Sequence, residues 1–400
     1  QRTTKVTALN KVVEEIGYIK PSSTDISLTI DLELQKYLYQ AFDRPAGAVV
    51  VMDGIDGSIL AAASLPEYDL NQFVTGISQS DWNEMMNNPD HPFTNKLINA
   101  LYPPGSVVKM AMGMAFFESG KYAPTSRILC DPYLELGDRK FRNWKNYGSE
   151  MMTIVEALRD SCDTYFYRGA YNVGIDIMAP VLRRYGFGVK TGVDLPNEYI
   201  GIVPDAQWKK MRLNQPWYQG DTINTSIGQG SFLATPMQVA RDTAIFAMGH
   251  DVTPHFIGSI NGVPQEWHAR DILSQKEKSA LKYIREGMHA VANIPGGTGF
   301  RVLSPSKVTI AAKSGTAQVV GISQEDKERI KEADMEYYER SHAWMTGYAP
   351  YENPRYIVTV LVEHGASGGG AAGPILARIF DKLADMGYID EKYLKKKNSK

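Results

Sequence analysis

Cysteine is nearly absent: the 400 residues contain only Cys130 and Cys162. Two cysteines cannot build a disulfide-rich scaffold, and their number does not fix a redox compartment; whether they pair stays open. The seven histidines are scattered, with no HxxxH or HxxEH spacing, so a histidine-built metal centre has no support. Neither sign of charge is in excess. Forty-three Lys and Arg against 45 Asp and Glu leave a net −2, which removes any global electrostatic argument for nucleic acid or an anionic membrane surface. The terminal Lys395, Lys396, Lys397 and Lys400 read as a solvated tail. No run of 18 apolar residues occurs, so the sequence offers no membrane-spanning helix. The first residue is Gln1 rather than Met, and a fragment of a longer protein, with any signal or anchor outside it, is expected.

What is present is an ordinary globular composition, 43% hydrophobic, enough for a sizeable core. Residues 1–25 are polar, with a short helical pattern over 9–16 and a Pro21-Ser22-Ser23 break, and read as the end of a preceding domain plus a linker. Residues 26–400 follow that break and carry the remaining elements. A short strand is expected at 26–30, then a helix over 32–42 capped by Asp31. Two apolar strands, 46–52 and 58–63, flank Gly54-Ile55-Asp56-Gly57, a hairpin signal. A helix opening at Ser106 runs to Gly120 and is apolar nearly all round, so it should be a buried central helix. Further helices are expected at 153–159, 164–173, 235–248, 274–292 and 374–386. Strands are expected at 308–320, 343–349 and 356–363, and a charged, helix-like run at 324–340. The order implies an α+β fold: a mostly antiparallel five-stranded sheet with helices on both faces.

Three stretches carry chemistry. The first is Tyr102-Pro103-Pro104-Gly105-Ser106-Val107-Val108-Lys109. A Pro-Pro-Gly turn delivers a serine to the first turn of an apolar helix, and residues three apart share a helix face, so Ser106 and Lys109 can meet. Desolvation would lower the pKa of Lys109 and leave a neutral amine able to take the serine proton. Ser279/Lys282 and Ser304/Lys307 repeat the spacing, but on a charged helix and across Pro305 in a loop. Neither has the mechanical context of the first pair. The second stretch is Ser161-Cys162-Asp163, between two helices: Ser161 is suited to relay a proton, and Asp163 to hold Lys109 or accept a substrate N–H. The plainer alternative is a turn with capping residues. The third is Lys313-Ser314-Gly315-Thr316 in a strand. Gly315 lets a ligand approach the backbone, and the lysine and hydroxyls suit a carboxylate on an extended peptide.

SxxK, then a serine-headed triplet, then K[ST]G, in that order, resembles the penicillin-binding proteins and serine β-lactamases. YPPGSVVKM, SCDTYFY, PWYQGDTI, IGQG, ATPMQ and AAKSGTAQV extend the resemblance to the class B, monofunctional transpeptidases of cell elongation. It covers roughly residues 26–386. The resemblance implies a D,D-transpeptidase that cross-links peptidoglycan stem peptides through an acyl-enzyme on Ser106, and that β-lactams acylate. Lys109 would be the base and Ser161 the relay. Lys313, Ser314, Gly315 and Thr316 would receive the terminal carboxylate, and the backbone N–H groups of Ser106 and Thr316 would form an oxyanion hole. Trp217, Tyr218, Gln219, Gly220 and Asp221 would form a substrate-side loop, with Gln229 and Gln318 nearby. Asp163 stands where the general pattern has Asn, and it would raise the pKa of Lys109. Some relatives hold zinc between the first two motifs; here Asp131 and Cys162 match that ligand set but Asn143 and Ser149 do not, so no zinc and no cofactor is expected. The resemblance further implies a pedestal domain, of which residues 1–25 would be a remnant, and an inner-membrane anchor with the catalytic domain in the periplasm. A RodA-type glycosyltransferase and the scaffold MreC would be partners. A carboxypeptidase or β-lactamase on the same fold, and a non-catalytic penicillin-binding sensor, are the rival functions.

Overall fold

The computed structural model describes residues 2–6, 12–18, 23–74, 76–146, 148–319 and 332–396. Five strands form the central sheet: β1 (Gly47–Asp53), β2 (Ile59–Leu65), β3 (Ala311–Ala317), β4 (His342–Ala349) and β5 (Tyr356–Val362). Their order is β3-β4-β5-β1-β2, and every pairing is antiparallel. The hairpin expected around residues 54–57 joins β1 to β2, with Gly57 at φ +91° in the turn. Because successive side chains on a strand face opposite ways, one apolar run serves two cores. Ala48, Val50 and Met52 of β1 enter one core, and Val49 and Val51 enter the other.

On the second face lie α1 (Leu32–Ala41) and the C-terminal helix α7 (Gly373–Asp385). Asp31 caps α1 by accepting from the N–H groups of Glu33 and Leu34. On the first face the sheet meets α5 (Pro236–Met248) and the helical half of the molecule. Its centre is α2 (Lys109–Glu118), where Met110, Met112, Met114, Phe116 and Phe117 are all buried. Each such side chain contributes about 1.5–3 kcal/mol by leaving water. Around α2 pack α3 (Ile154–Asp160), α4 (Asp163–Val173) and the long α6 (Gln275–Asn293). Cys130 and Cys162 form a disulfide, with Cα atoms 6.2 Å apart, which ties the Ile128–Cys130 strand to the start of α4.

Several expectations need correction. Val12–Tyr18 is a strand paired with Arg2–Val6, where a helical pattern was read over 9–16. Its valines and isoleucine favour a pleated ladder when a partner strand is at hand. The strand expected over 308–320 is confined to Ala311–Ala317: Val308 leaves the ladder to bridge Leu394. The first part of the charge run at 324–340, through residue 331, lies outside the described residues; the rest forms two single 3-10 turns, Glu332–Asp334 and Tyr337–Glu339. Among residues 174–230, Ile175–Arg184, Ala206–Leu213 and Gln219–Thr225 are helices that the glycines and prolines of this stretch concealed.

Candidate active site

Ser106 sits in a 3-10 turn, Gly105–Val108, that runs into α2. The strap before it is pinned along its length. Tyr102 exchanges backbone hydrogen bonds with Ala234, at 3.0 and 2.9 Å, and its hydroxyl donates to Glu363. Trp344 Nε1 donates to the Pro103 carbonyl at 3.1 Å, and the Gly105 N–H to the Gly228 carbonyl at 3.0 Å. Gly105 has φ +56°, and a Cβ there would lie 2.7 Å from the Thr316 carbonyl oxygen, so only glycine lets the serine turn close on the edge strand β3. The Gly105 backbone that leads into Ser106 is thereby seated against Thr316. Ser106 is half-buried.

Behind it lies a polar cluster that is almost wholly buried. The Lys109 ammonium donates to Asp163 Oδ1 at 2.6 Å, to the Ser161 carbonyl at 2.9 Å and to Ser161 Oγ at 3.3 Å. It also lies 5.2 Å over the Phe166 ring. Lys313 Nζ donates to Ser161 Oγ at 2.9 Å and to the Ser314 carbonyl at 2.9 Å. Both lysines have no measurable exposure. Ser161 reaches this position because it ends α3 in the left-handed conformation, φ 53°, which breaks the helix and turns the chain into α4. The Ser106 hydroxyl has no hydrogen-bond partner among the described residues; Lys109 turns to Ser161 and Asp163 instead.

Electrostatics follow from this crowding. Burial pushes the Lys109 ammonium down, and the charge and hydrogen bond of Asp163 pull it only part of the way back. The net direction is down: Asp163 raises the lysine relative to an unpaired one, as expected, but desolvation outweighs it. Lys313 is pushed well down, by burial first and then by the positive charge of Lys109, with Asp163 opposing. Two lysines share one carboxylate in a dry site, so their protonation is a property of the pair.

Sequence reasoning missed the support of Asp163. Asn143, buried, accepts from the Asp163 N–H at 2.9 Å and the Trp144 N–H at 3.0 Å, while the Trp144 N–H also donates to Asp163 Oδ2 at 3.1 Å. The Asn143 amide faces the disulfide, 3.5 Å from Cys130 Sγ and 3.8 Å from Cys162 Sγ. Nothing in the local pattern of residues 143–144 marks them. Asp131 is ion-paired to Arg168 at 2.5 Å, and Cys162 is committed to the disulfide; Ser149 is exposed. No group of three or more His, Cys, Asp or Glu arranged to hold a metal occurs among the described residues.

The remaining expected site residues divide. Ser314 and Thr316 lie on β3, Ser314 nearly buried and Thr316 half-buried. Gln229 Nε2 donates to the Thr316 carbonyl at 3.3 Å, which joins the IGQG turn to the strand. Residues 217–221 form the entry to the Gln219–Thr225 helix, and Trp217 and Asp221 line a small cleft together with Trp208, Lys209 and Gln229. Within it Asp221 is paired to Lys209 at 2.6 Å and Trp217 Nε1 donates to Thr222 at 2.8 Å, while Tyr218 is exposed and Gly220 lies against Phe141. Gln318 lies one residue beyond the strand and is half-buried. The two other SxxK pairs stay apart from the cleft: Ser279 bonds its own helix at Gln275, and Lys307 pairs with Asp385.

A half-buried serine at a helix entry, backed by two buried lysines that share a second serine, defines a serine acyl-transfer type of site at the edge of an antiparallel sheet. Residues 47–381 match the family model of the penicillin binding protein transpeptidase domain. The chain is 37% identical over 363 residues to the Peptidoglycan D,D-transpeptidase MrdA of Haemophilus influenzae, covering 89% of this chain and 56% of that protein. It superposes on a Helicobacter pylori penicillin-binding protein (PBP2) solved in complex with MreC, with a TM-score of 0.85, 42% identity and coverage of 97% of this chain and 69% of that one. A Pseudomonas aeruginosa PBP2 in complex with WCK 5153 gives 0.83, 35% identity and coverage of 94% and 82%. The chain belongs to the penicillin-binding protein transpeptidase family. Within it, the chain groups with the proteins named MrdA and PBP2, and it spans 56–61% of the length of the first curated relatives it matches.

Proposed function

We propose that this chain is the catalytic part of a peptidoglycan D,D-transpeptidase of cell elongation, and that Ser106 is its nucleophile. The observation that carries the reading is the position of Ser161 Oγ, within hydrogen-bond reach of both buried lysine amines, one of which opens the helix that follows the Ser106 turn. Burial pushes both lysine amines down, and each lies close enough to the other's charge for the pair to hold one neutral amine. A proton passed from Lys109 through Ser161 to Lys313 then leaves Lys109 as the free base.

In acylation, the Ser106 oxygen bonds the carbonyl carbon of the penultimate D-Ala of a donor stem peptide while its proton goes to Lys109. Charge gathers on the carbonyl oxygen, held by the Ser106 and Thr316 N–H groups, where one donor is worth about 3–4 kcal/mol. Collapse breaks the C–N bond, and the departing D-Ala amine takes a proton from the lysine pair through Ser161. A side-chain amine of a neighbouring stem then attacks the ester and gives its proton back along the same route. The amide cross-link forms, and Ser106 recovers its hydrogen. Lys313, Ser314 and Thr316 receive the donor's terminal carboxylate, and the open edge of β3 pairs with its backbone.

The rest follows from likeness to the relatives. Residues 26–400 form the transpeptidase domain, and residues 1–25 belong to the preceding pedestal and linker. The domain works in the periplasm, on a protein anchored in the inner membrane, with an MreC scaffold and a RodA-type glycosyltransferase as partners. A Helicobacter pylori relative was solved with MreC, which supports the first of these. Among the described residues no helix is long and apolar enough to cross a membrane.

The test is turnover of a stem peptide ending in D-Ala-D-Ala with an amine acceptor. Release of D-Ala together with a cross-linked product supports the reading. Rapid hydrolysis of a chromogenic β-lactam, with no cross-linked product, would place the chain among the hydrolases.

A further inference from the structure

Thr298 lies in the turn Gly296-Gly297-Thr298-Gly299, between α6 and the short helix Phe300–Leu303 that precedes β3. Its hydroxyl is 2.7 Å from the hydroxyl of Ser314. Its N–H donates to the Arg159 carbonyl at 3.2 Å, two residues before Ser161. On its other side, a Cβ on Gly369 would come within 2.5 Å of the Thr298 carbonyl oxygen, so the glycine-rich segment that opens α7 also closes on it. Thr298 therefore bridges the turn that carries the relay serine and the strand that carries Lys313, and it is half-buried where these meet.

We propose that Thr298 is a positioning residue for the donor's carboxylate, acting through the Ser314 hydroxyl. This rests on the reading that Lys313, Ser314 and Thr316 receive that carboxylate. The physical reason is the inventory of a hydroxyl: one O–H to donate and two lone pairs to accept with. A carboxylate accepts only. When it binds, the single proton of Ser314 is directed to it, and the proton between the two hydroxyls comes from Thr298. Each bond of such a chain polarises the next, so the Ser314–carboxylate bond is stronger with Thr298 behind it. Without Thr298 the Ser314 hydroxyl loses that donor and rotates more freely. The effect falls on ligands with an anionic carboxylate and spares those without one.

The experiment compares second-order acylation rates, by intact mass, for benzylpenicillin and its methyl ester on the wild-type chain, Thr298→Val and Thr298→Ser. Valine keeps the shape and removes the hydroxyl; serine keeps the hydroxyl. The acid-to-ester rate ratio is expected to fall about three- to tenfold in Thr298→Val, the worth of one ordinary hydrogen bond, and to stay within about twofold of wild type in Thr298→Ser. The Ser314→Ala variant is expected to lower the same ratio, and adding Thr298→Val to it to change the ratio no further. If Thr298→Val does not fold, Thr298→Ala carries the same expectation. An equal loss on acid and ester would mean that Thr298 only holds the turn, and no loss at all would mean that it does nothing; either overturns the inference. A wild-type chain that forms no adduct with benzylpenicillin overturns the transpeptidase reading itself, and the inference with it.

Discussion

Lys313 Nζ donates to Ser161 Oγ at 2.9 Å, across 152 residues of sequence, and both groups are buried. Ser161 also faces Lys109 at 3.3 Å, so two separate motifs meet at one hydroxyl, which the proposed mechanism uses as its proton path.

The pH dependence of acylation follows from it. The reaction needs a neutral amine in the lysine pair, and burial moves both lysines below the ordinary 10.5. The second-order rate constant for a β-lactam is expected to rise with pH and level off above a single apparent pKa that lies below 10.5. Lys313→Arg keeps a permanent charge in the pocket; it should slow acylation and move the rise to a different pH. A rate that stays flat on both sides of neutrality and then rises only near 10.5 would contradict the buried-base account.

How much of this was legible in the sequence depends on range. The serine turn was legible, since Pro-Pro-Gly before Ser106 and an apolar run after it are local signals that the Gly105 conformation then explains. A mostly antiparallel five-stranded sheet was legible from strand count and the hairpin at 54–57, but the strand order was not, because it depends on pairings between strands hundreds of residues apart. Asn143 and Thr298 were not legible. Each works through one long-range hydrogen bond, to Asp163 or Ser314, and no periodicity or turn chemistry encodes such a bond. The direction of the Lys109 shift was open for the same reason. It is a contest between desolvation and one carboxylate, and only the depth of burial decides it. The cysteine pairing likewise waited on the geometry that puts Cys130 beside the start of α4.

The disulfide yields a prediction about stability. Cys130 and Cys162 are separated by 32 residues, and a loop of that size restrains the unfolded chain by about 3–4 kcal/mol in the chain-entropy treatment. Thermal melts with and without a phosphine reductant should show a clear drop in Tm on reduction. Because Cys162 also caps α4, accepting from the Tyr165 N–H, and Asn143 packs on both sulfurs, acylation should slow in the reduced protein at a temperature where it is still folded. Unchanged Tm and unchanged acylation on complete reduction would show that the bridge supports neither the fold nor Asp163.

Asp242, in α5, is fully buried, and neither of its carboxylate oxygens has a hydrogen-bond partner among the described residues. Burial pushes its pKa well up, so the folded state holds a proton that the unfolded state releases near pH 4. The folded state then binds more protons, and this residue lowers stability by about 1.4 kcal/mol per pH unit from there up to its folded pKa. Asp242→Asn removes that term. The gain in Tm over wild type should be small near pH 4 and should grow as pH rises to 7. A gain that does not grow with pH, or a loss, would mean that the carboxylate is ionised in the fold.

The claim on which the rest depends is that Ser106 is the group that becomes acylated. Intact-mass spectrometry after exposure to benzylpenicillin, followed by peptide mapping, tests it directly. One adduct of the mass of the intact antibiotic is expected, on the peptide containing Ser106, and none on Ser106→Ala. An adduct on any other residue, or one that survives Ser106→Ala, would contradict the account.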